Sequence, residues 1–255
     1  MAQALTWAAL GTGFTFIMTV FGAAMVFFFR KKVNDGLQKA FLGFASGIMI
    51  AASVWSLLIP AIEQAKTSGD IPWVPAAAGF LMGGLFLFFA DSLISKNIRG
   101  FNRRKLMVFA MTLHNIPEGM AVGLAFGLAA SCGEQPELYA TAAALALGIG
   151  IQNFPEGAAV ALPLRQEGMP LKKSFLYGIL SAIVEPVFGI SAVLTATWIR
   201  PAMPWLLSFA AGAMIYVVVE QLIPEANDSG RSHRGVMGSM IGFMIMMILD
   251  VALSL

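Results

Sequence analysis

Two stretches of this chain place the same polar residues at the same spacing inside apolar sequence. They are Leu113-His114-Asn115-Ile116-Pro117-Glu118-Gly119 and, 38 residues later, Ile151-Gln152-Asn153-Phe154-Pro155-Glu156-Gly157. Residues three and four apart share a helix face. His114/Glu118 and Gln152/Glu156 are i,i+4 pairs, and Asn115/Glu118 and Asn153/Glu156 are i,i+3 pairs, so each helix offers an imidazole or amide one turn from a carboxylate. Pro117 and Pro155 lack the backbone N–H that would hold the carbonyls of Leu113 and Ile151, which predicts a kink and further oxygen donors at each place. Gly119 and Gly157 leave room for another helix to pack behind each carboxylate. A third apolar stretch holds Glu185, directly before Pro186.

A charge at the centre of a membrane helix costs about 2.5–3.5 kcal/mol, so three glutamates would cost roughly 8–10 kcal/mol. A bound cation is the nearest compensation. Imidazole, carboxylate and amide without thiolate suit borderline divalent ions, Zn²⁺ first, with Fe²⁺, Mn²⁺, Co²⁺ or Cd²⁺ as further candidates. Three carboxylates carry −3, so one divalent ion leaves −1 and two leave +1. A binuclear centre bridged by Glu118 and Glu156 is therefore electrostatically feasible. The blander alternative is a His–Glu hydrogen-bond network that only stiffens the helices. Recurrence of the motif, with proline at the same place, argues against it.

The elements that must carry these residues are apolar and long. The 255 residues are 58% hydrophobic and only 12% charged, against about 25% charged in ordinary soluble domains. Apolar windows fall at 5–29, 39–62, 75–94, 106–130, 138–164, 173–198, 203–224 and 235–255. Each is near the ~20 residues a spanning helix needs. No run of alternating residues of the kind a membrane barrel requires is present. The expectation is an all-α membrane protein, one polytopic domain over 1–255 with eight transmembrane helices.

Basic residues set the orientation. With the N-terminus outside, 14 of the 16 Lys and Arg fall in inner loops, leaving only Lys66 and Arg200 outside. N-out and C-out is therefore expected. No positive charge precedes the first segment and Arg30-Lys31-Lys32 follows it, so it reads as a retained helix rather than a signal peptide. The basic excess is accounted for by these anchors, and no nucleic-acid partner is expected. Cys132, expected in an outer loop, is the one cysteine, so no intramolecular disulfide or thiolate metal site is expected.

The chain repeats internally. Phe44-Ala45-Ser46-Gly47-Ile48-Met49-Ile50 aligns with Phe209-Ala210-Ala211-Gly212-Ala213-Met214-Ile215; Gly79, Gly83 and Asp91 align with Gly238, Gly242 and Asp250; Val20-Phe21-Gly22 aligns with Val187-Phe188-Gly189. Segments 1–3 thus recur as 6–8. A displacement of five helices is odd, so the second copy would be inverted, with segments 4 and 5 between the copies. Inverted repeats around a midplane site characterise secondary transporters.

The two N-x-P-E-G segments, the Glu185-Pro186 pair and the eight-helix N-out plan together resemble the ZIP (Zrt-, Irt-like protein) family of divalent metal transporters, near its GufA-like bacterial branch. The resemblance covers the whole chain. It implies zinc as transported substrate, with no organic cofactor, moving toward the cytoplasm. It also implies a multi-pass protein of a bacterial inner membrane, a homodimer, and an elevator-like motion of helices 1, 4, 5 and 6 against 2, 3, 7 and 8. One metal site would use His114, Glu118, Gln152 and Glu156, with Met49 as a soft ligand. A second would use Asn115, Asn153, Glu118, Glu156 and Glu185. The loop Ser95–Lys105 lacks the histidines many members carry there. Glu63 and Asp250 would gather cations at the outer entrance, and Asp91 and Glu220 would line the inner exit. No H-E-x-x-H sequence occurs, so an enzyme is not expected.

Overall fold

In hydrocarbon a backbone must satisfy its own hydrogen bonds, so apolar windows of this length become helices. The computed structural model describes residues 2–28, 35–97, 103–131, 136–166, 168–195, 199–227 and 233–253. Among these, every regular element is helical. In order they are α1 (Ala2–Ala24), α2 (Asp35–Ala52), α3 (Ile59–Ser68), α4 (Trp73–Asn97), α5 (Arg103–Ser131), α6 (Pro136–Gln166), α7 (Leu171–Ala182), α8 (Val184–Leu194), α9 (Met203–Val217), α10 (Ile223–Asn227) and α11 (Arg234–Leu253). α1 runs into a 3-10 turn, Met25–Phe27, and another, Arg200–Ala202, leads into α9. Cys132 and the basic residues Arg30, Lys31, Lys32, Arg99 and Arg231 lie outside the described residues.

Three pairs of these helices are single rods. α2 and α3 join through a π-helical turn, Ser53–Leu58, and α9 and α10 through another, Val218–Leu222. Each turn directly precedes an Ile-Pro pair, Ile59-Pro60 or Ile223-Pro224, whose proline cannot donate the next helical hydrogen bond. α7 and α8 meet at Ile183, where Pro186 leaves the Ala182 carbonyl without its partner. By contrast α5 and α6 run unbroken through Pro117 and Pro155. The expected kinks do not interrupt either helix, because packing on neighbouring helices holds a rod that has lost one hydrogen bond.

Among the described residues six helical spans are long and apolar enough to cross a membrane: Ala2–Phe27, Gly36–Ser68, Trp73–Ser92, Leu171–Leu194, Arg200–Asn227 and Arg234–Ala252. The two other rods, α5 and α6, are also long enough at 29 and 31 residues, and their polar motifs lower their mean hydropathy. Lys39, expected in an inner loop, is instead buried within α2.

Small residues let the rods touch backbone to backbone. α2 packs on α11 and α4 on α9. In the first pair Gly47 abuts the Ser239 carbonyl and Gly242 that of Phe44; in the second Gly212 abuts Phe80 and Gly83 abuts Phe209. α1 packs against α5, α6 and α8, and α5 against α8. The largest apolar core lies between these groups and includes Met49, Met111, Met120, Leu207 and Met214. On the outer faces of α4 and α11, Leu81, Phe88, Phe89, Met240 and Ile248 are exposed, as a lipid-facing surface requires.

Candidate metal centre

α5 and α6 bring the two motifs together. His114 Nε2 lies 3.2 Å from both Glu156 oxygens and 3.5 Å from Glu118 Oε2. The Gln152 amide donates to Glu118 Oε1. One ligand atom each from His114, Glu118 and Glu156 falls within 4.8 Å of the others, the spacing of donors around a shared ion. All four side chains are buried.

Behind them lies a second polar group. Glu185 stands in the first turn of α8, where the positive end of the helix favours a carboxylate. Asn153 Nδ2 donates to Glu185 Oε2 at 2.9 Å and to the Thr15 carbonyl at 3.3 Å. Asn115 Nδ2 donates to the Ser181 carbonyl at 2.9 Å. Close packing sets this arrangement: Gly119 of α5 rests on the Glu185 backbone, and Gly157 of α6 on that of Thr19 in α1.

Among the described residues several buried acceptors at the centre have no hydrogen-bond partner: Asn115 Oδ1, Glu118 Oε2, Gln152 Oε1, Asn153 Oδ1 and Glu185 Oε1. A buried acceptor without a donor costs about 1–3 kcal/mol. The three amide oxygens among them, with an imidazole and three carboxylates, form a donor set for hard or borderline cations. The set fits one divalent ion at His114, Glu118 and Glu156, and leaves amide and carboxylate oxygens for a second.

Met49 is fully buried in the central core, against which Leu113 and Ile116, the neighbours of His114 and Asn115, also pack. The four remaining candidates are not gathered into the cluster. Asp250 accepts from Ser56 Oγ at 3.0 Å, between the α2–α3 and α11 rods. Glu63 is exposed on α3, Asp91 is half-buried on α4, and Glu220 is half-buried within the π turn before α10. The structure adds Thr15, Thr19 and Ser181. The two threonines stand beside Glu185, their hydroxyls donating to the Thr12 and Thr15 carbonyls. Their signal was the three- and four-residue spacing of Thr12, Thr15 and Thr19, one buried hydroxyl stripe along α1.

Asn153→Asp replaces the donor facing Glu185 with a like charge. The metal-free protein should melt at lower temperature, and zinc should bind beside the new carboxylate about tenfold or more tighter, with slower turnover. Titration calorimetry showing unchanged affinity and stoichiometry would remove Asn153 from the ligands.

The profile of the "ZIP Zinc transporter" family matches residues 95–250. The chain is 37% identical to "Zinc transporter ZIP11" of Xenopus tropicalis, over 96% of each chain. It is 38% identical to "Zinc transporter GufA" of Myxococcus xanthus, over 88% of this chain and 90% of that one. With "Zinc transporter ZIPB" of Bordetella bronchiseptica it shares 35% identity over 97% of this chain and 81% of the relative. The matched region holds both motifs and Glu185, and the likeness continues along nearly the whole sequence: the chain belongs to the ZIP zinc transporter family.

Proposed function

We propose that this protein carries zinc, and other divalent first-row metals, across a bacterial inner membrane toward the cytoplasm. The observation that carries the reading is the buried His114–Glu118–Glu156 cluster, together with the unpartnered oxygens around it. His114, Glu118, Gln152 and Glu156, with Met49 beside them, would hold one ion. Asn115, Asn153 and Glu185 would complete a second site with the shared glutamates. Glu63 and Asp250 would serve the outer entrance, and Asp91 and Glu220 the inner exit.

In this reading all eight rods cross the membrane, both termini lie outside, and segments 1–3 and 6–8 form an inverted repeat. The backbone contacts support the repeat. Aligning Phe44 with Phe209 and Gly83 with Gly242 turns the Gly242–Phe44 contact into Gly83–Phe209, and the Gly47–Ser239 contact into Gly212–Phe80. The two π turns also occupy corresponding places. Two copies of opposite orientation can exchange conformations, which would open the centre to one side at a time. Pairing into a homodimer rests on the family resemblance alone.

Reconstituted uptake tests the reading. Proteoliposomes containing only this protein should accumulate zinc, with Fe²⁺, Mn²⁺, Co²⁺ and Cd²⁺ competing. Metal binding needs His114 with a free Nε2 lone pair and ionised carboxylates, so protons compete with the ion. Acidification should therefore weaken uptake, and loading should release protons. No accumulation by folded, correctly inserted protein at either pH would overturn the proposal.

A further inference from the structure

Away from the metal centre, at the end of the bundle that holds the N-terminus, a cavity of about 660 Å³ opens between two groups of helices. Ala121, Ala125, Leu145 and Val193 of α5, α6 and α8 form one wall. Gln64, Thr67 and Ser68 of α3 face it, with Met203 at the start of α9 and Arg200 just ahead of it. Its size lies within the roughly 300–1,000 Å³ typical of small-molecule sites.

Its chemistry does not suit a bare cation. Among the described residues no carboxylate lines it, and the ionised residue that does, Arg200, is positive. Nor does its mouth suit open water. Leu128 and Leu194 line it and are 42% and 59% exposed. Apolar residues at that exposure are stable facing hydrocarbon. Opposite these leucines the lining is polar and ends at Arg200, in the 3-10 turn at the end of its rod. A basic side chain there reaches the depth of lipid phosphates while its stem lies along apolar surface.

We propose that this cavity binds one anionic phospholipid: an acyl chain among Ala125, Leu128 and Val193, the phosphate on Arg200, and headgroup oxygens on Thr67 and Ser68. Such a lipid would lie between the α1–α5–α6–α8 group and the α3–α9 side. The site is independent of which metal is carried, and requires only that the protein is embedded in a bilayer.

Native mass spectrometry of protein released from nanodiscs of phosphatidylcholine doped with phosphatidylglycerol tests this. The wild-type protein should retain one phosphatidylglycerol in preference to phosphatidylcholine. Arg200→Ala should lower that retention about fivefold, the effect of one basic residue near a membrane surface. Arg200→Lys should restore most of it. Ala125→Phe, which fills the cavity, should lower retention of both lipids, and Leu145→Phe serves if that variant does not fold. Equal retention of the two lipids by the wild-type protein would overturn the proposal. So would unchanged phosphatidylglycerol retention in Arg200→Ala, or in a folded cavity-filled variant.

Discussion

Glu156→Ala should abolish zinc uptake, lowering it about 100-fold or more at normal expression. Its two oxygens both lie 3.2 Å from His114 Nε2, so its loss takes a charged ligand from the proposed first ion and a bridge from the second. The ligand charge falls from −3 to −2, and two divalent ions would then sit at +2 in a buried site. A lost charged ligand worth about 3 kcal/mol corresponds to roughly two decades of affinity. Glu118→Ala should match it, for the same reason. His114→Ala should be severe but leave measurable transport, because both Glu118 and Glu156 survive. Glu185→Ala and Asn115→Ala should be milder, since each belongs only to the proposed second site. Radiometal uptake into proteoliposomes ranks the five variants, and wild-type uptake by the Glu156→Ala protein would sink the shared-ligand arrangement.

Gly119→Val should be as damaging without touching a ligand. A Cβ at Gly119 would meet the backbone of Glu185, and backbone cannot rotate out of the way as a side chain can. α5 and α8 would have to separate, carrying Glu185 away from Asn153. Overpacking alone costs about 1–3 kcal/mol, and the displaced carboxylate adds to it. The variant should melt several degrees lower in detergent and lose the stabilisation that zinc gives the wild-type protein. Gly13→Ala is the comparison: nothing lies within 4 Å of a Cβ there, and α1 gains a better helix former. That protein should melt no lower than wild type. A Gly119→Val protein with a wild-type melting curve and a full zinc response would show that the close approach of α5 and α8 is dispensable.

The metal residues were legible because their chemistry is out of place. A histidine, three glutamates and repeated Asn-x-Pro-Glu spacing in apolar sequence need a reason that ordinary packing does not supply. Helical windows were legible for a related reason, since an apolar run of this length can satisfy its backbone only as a helix. Thr15 and Thr19 were harder to see. A threonine in an apolar helix ordinarily bonds its own backbone, and both hydroxyls also lie near a carbonyl of α1. Only the fold shows Glu185 beside them. Lys39 misled because lysine between apolar windows reads as a loop anchor, whereas α2 begins four residues earlier, at Asp35, and buries it. At residues 117 and 155 the helix stays continuous through proline, whereas α7 and α8 meet just ahead of Glu185-Pro186.

Glu63 shows what the π turn does to the phase of its rod. Met49, Ser53 and Ser56 are buried on one face. Carried forward at 3.6 residues per turn, that face would next present Pro60 and Glu63. The buried positions are instead Leu57, near the end of the turn, and beyond it Ala61 and Ala65, while Glu63 is exposed. The stripe has slipped by one residue, about 100° of azimuth. The partner rod slips alike, its buried stripe passing from Met214 and Val218 to Leu222 and Ala226. Each rod is therefore two helices on one axis with independently chosen faces. Deleting a single residue between Ser53 and Leu58 would turn this stretch into ordinary α-helix and leave Ala61 and Ala65 on the buried face, whereas winding all six residues as α-helix would swing Glu63 inward and bury a carboxylate where the protein now places alanine.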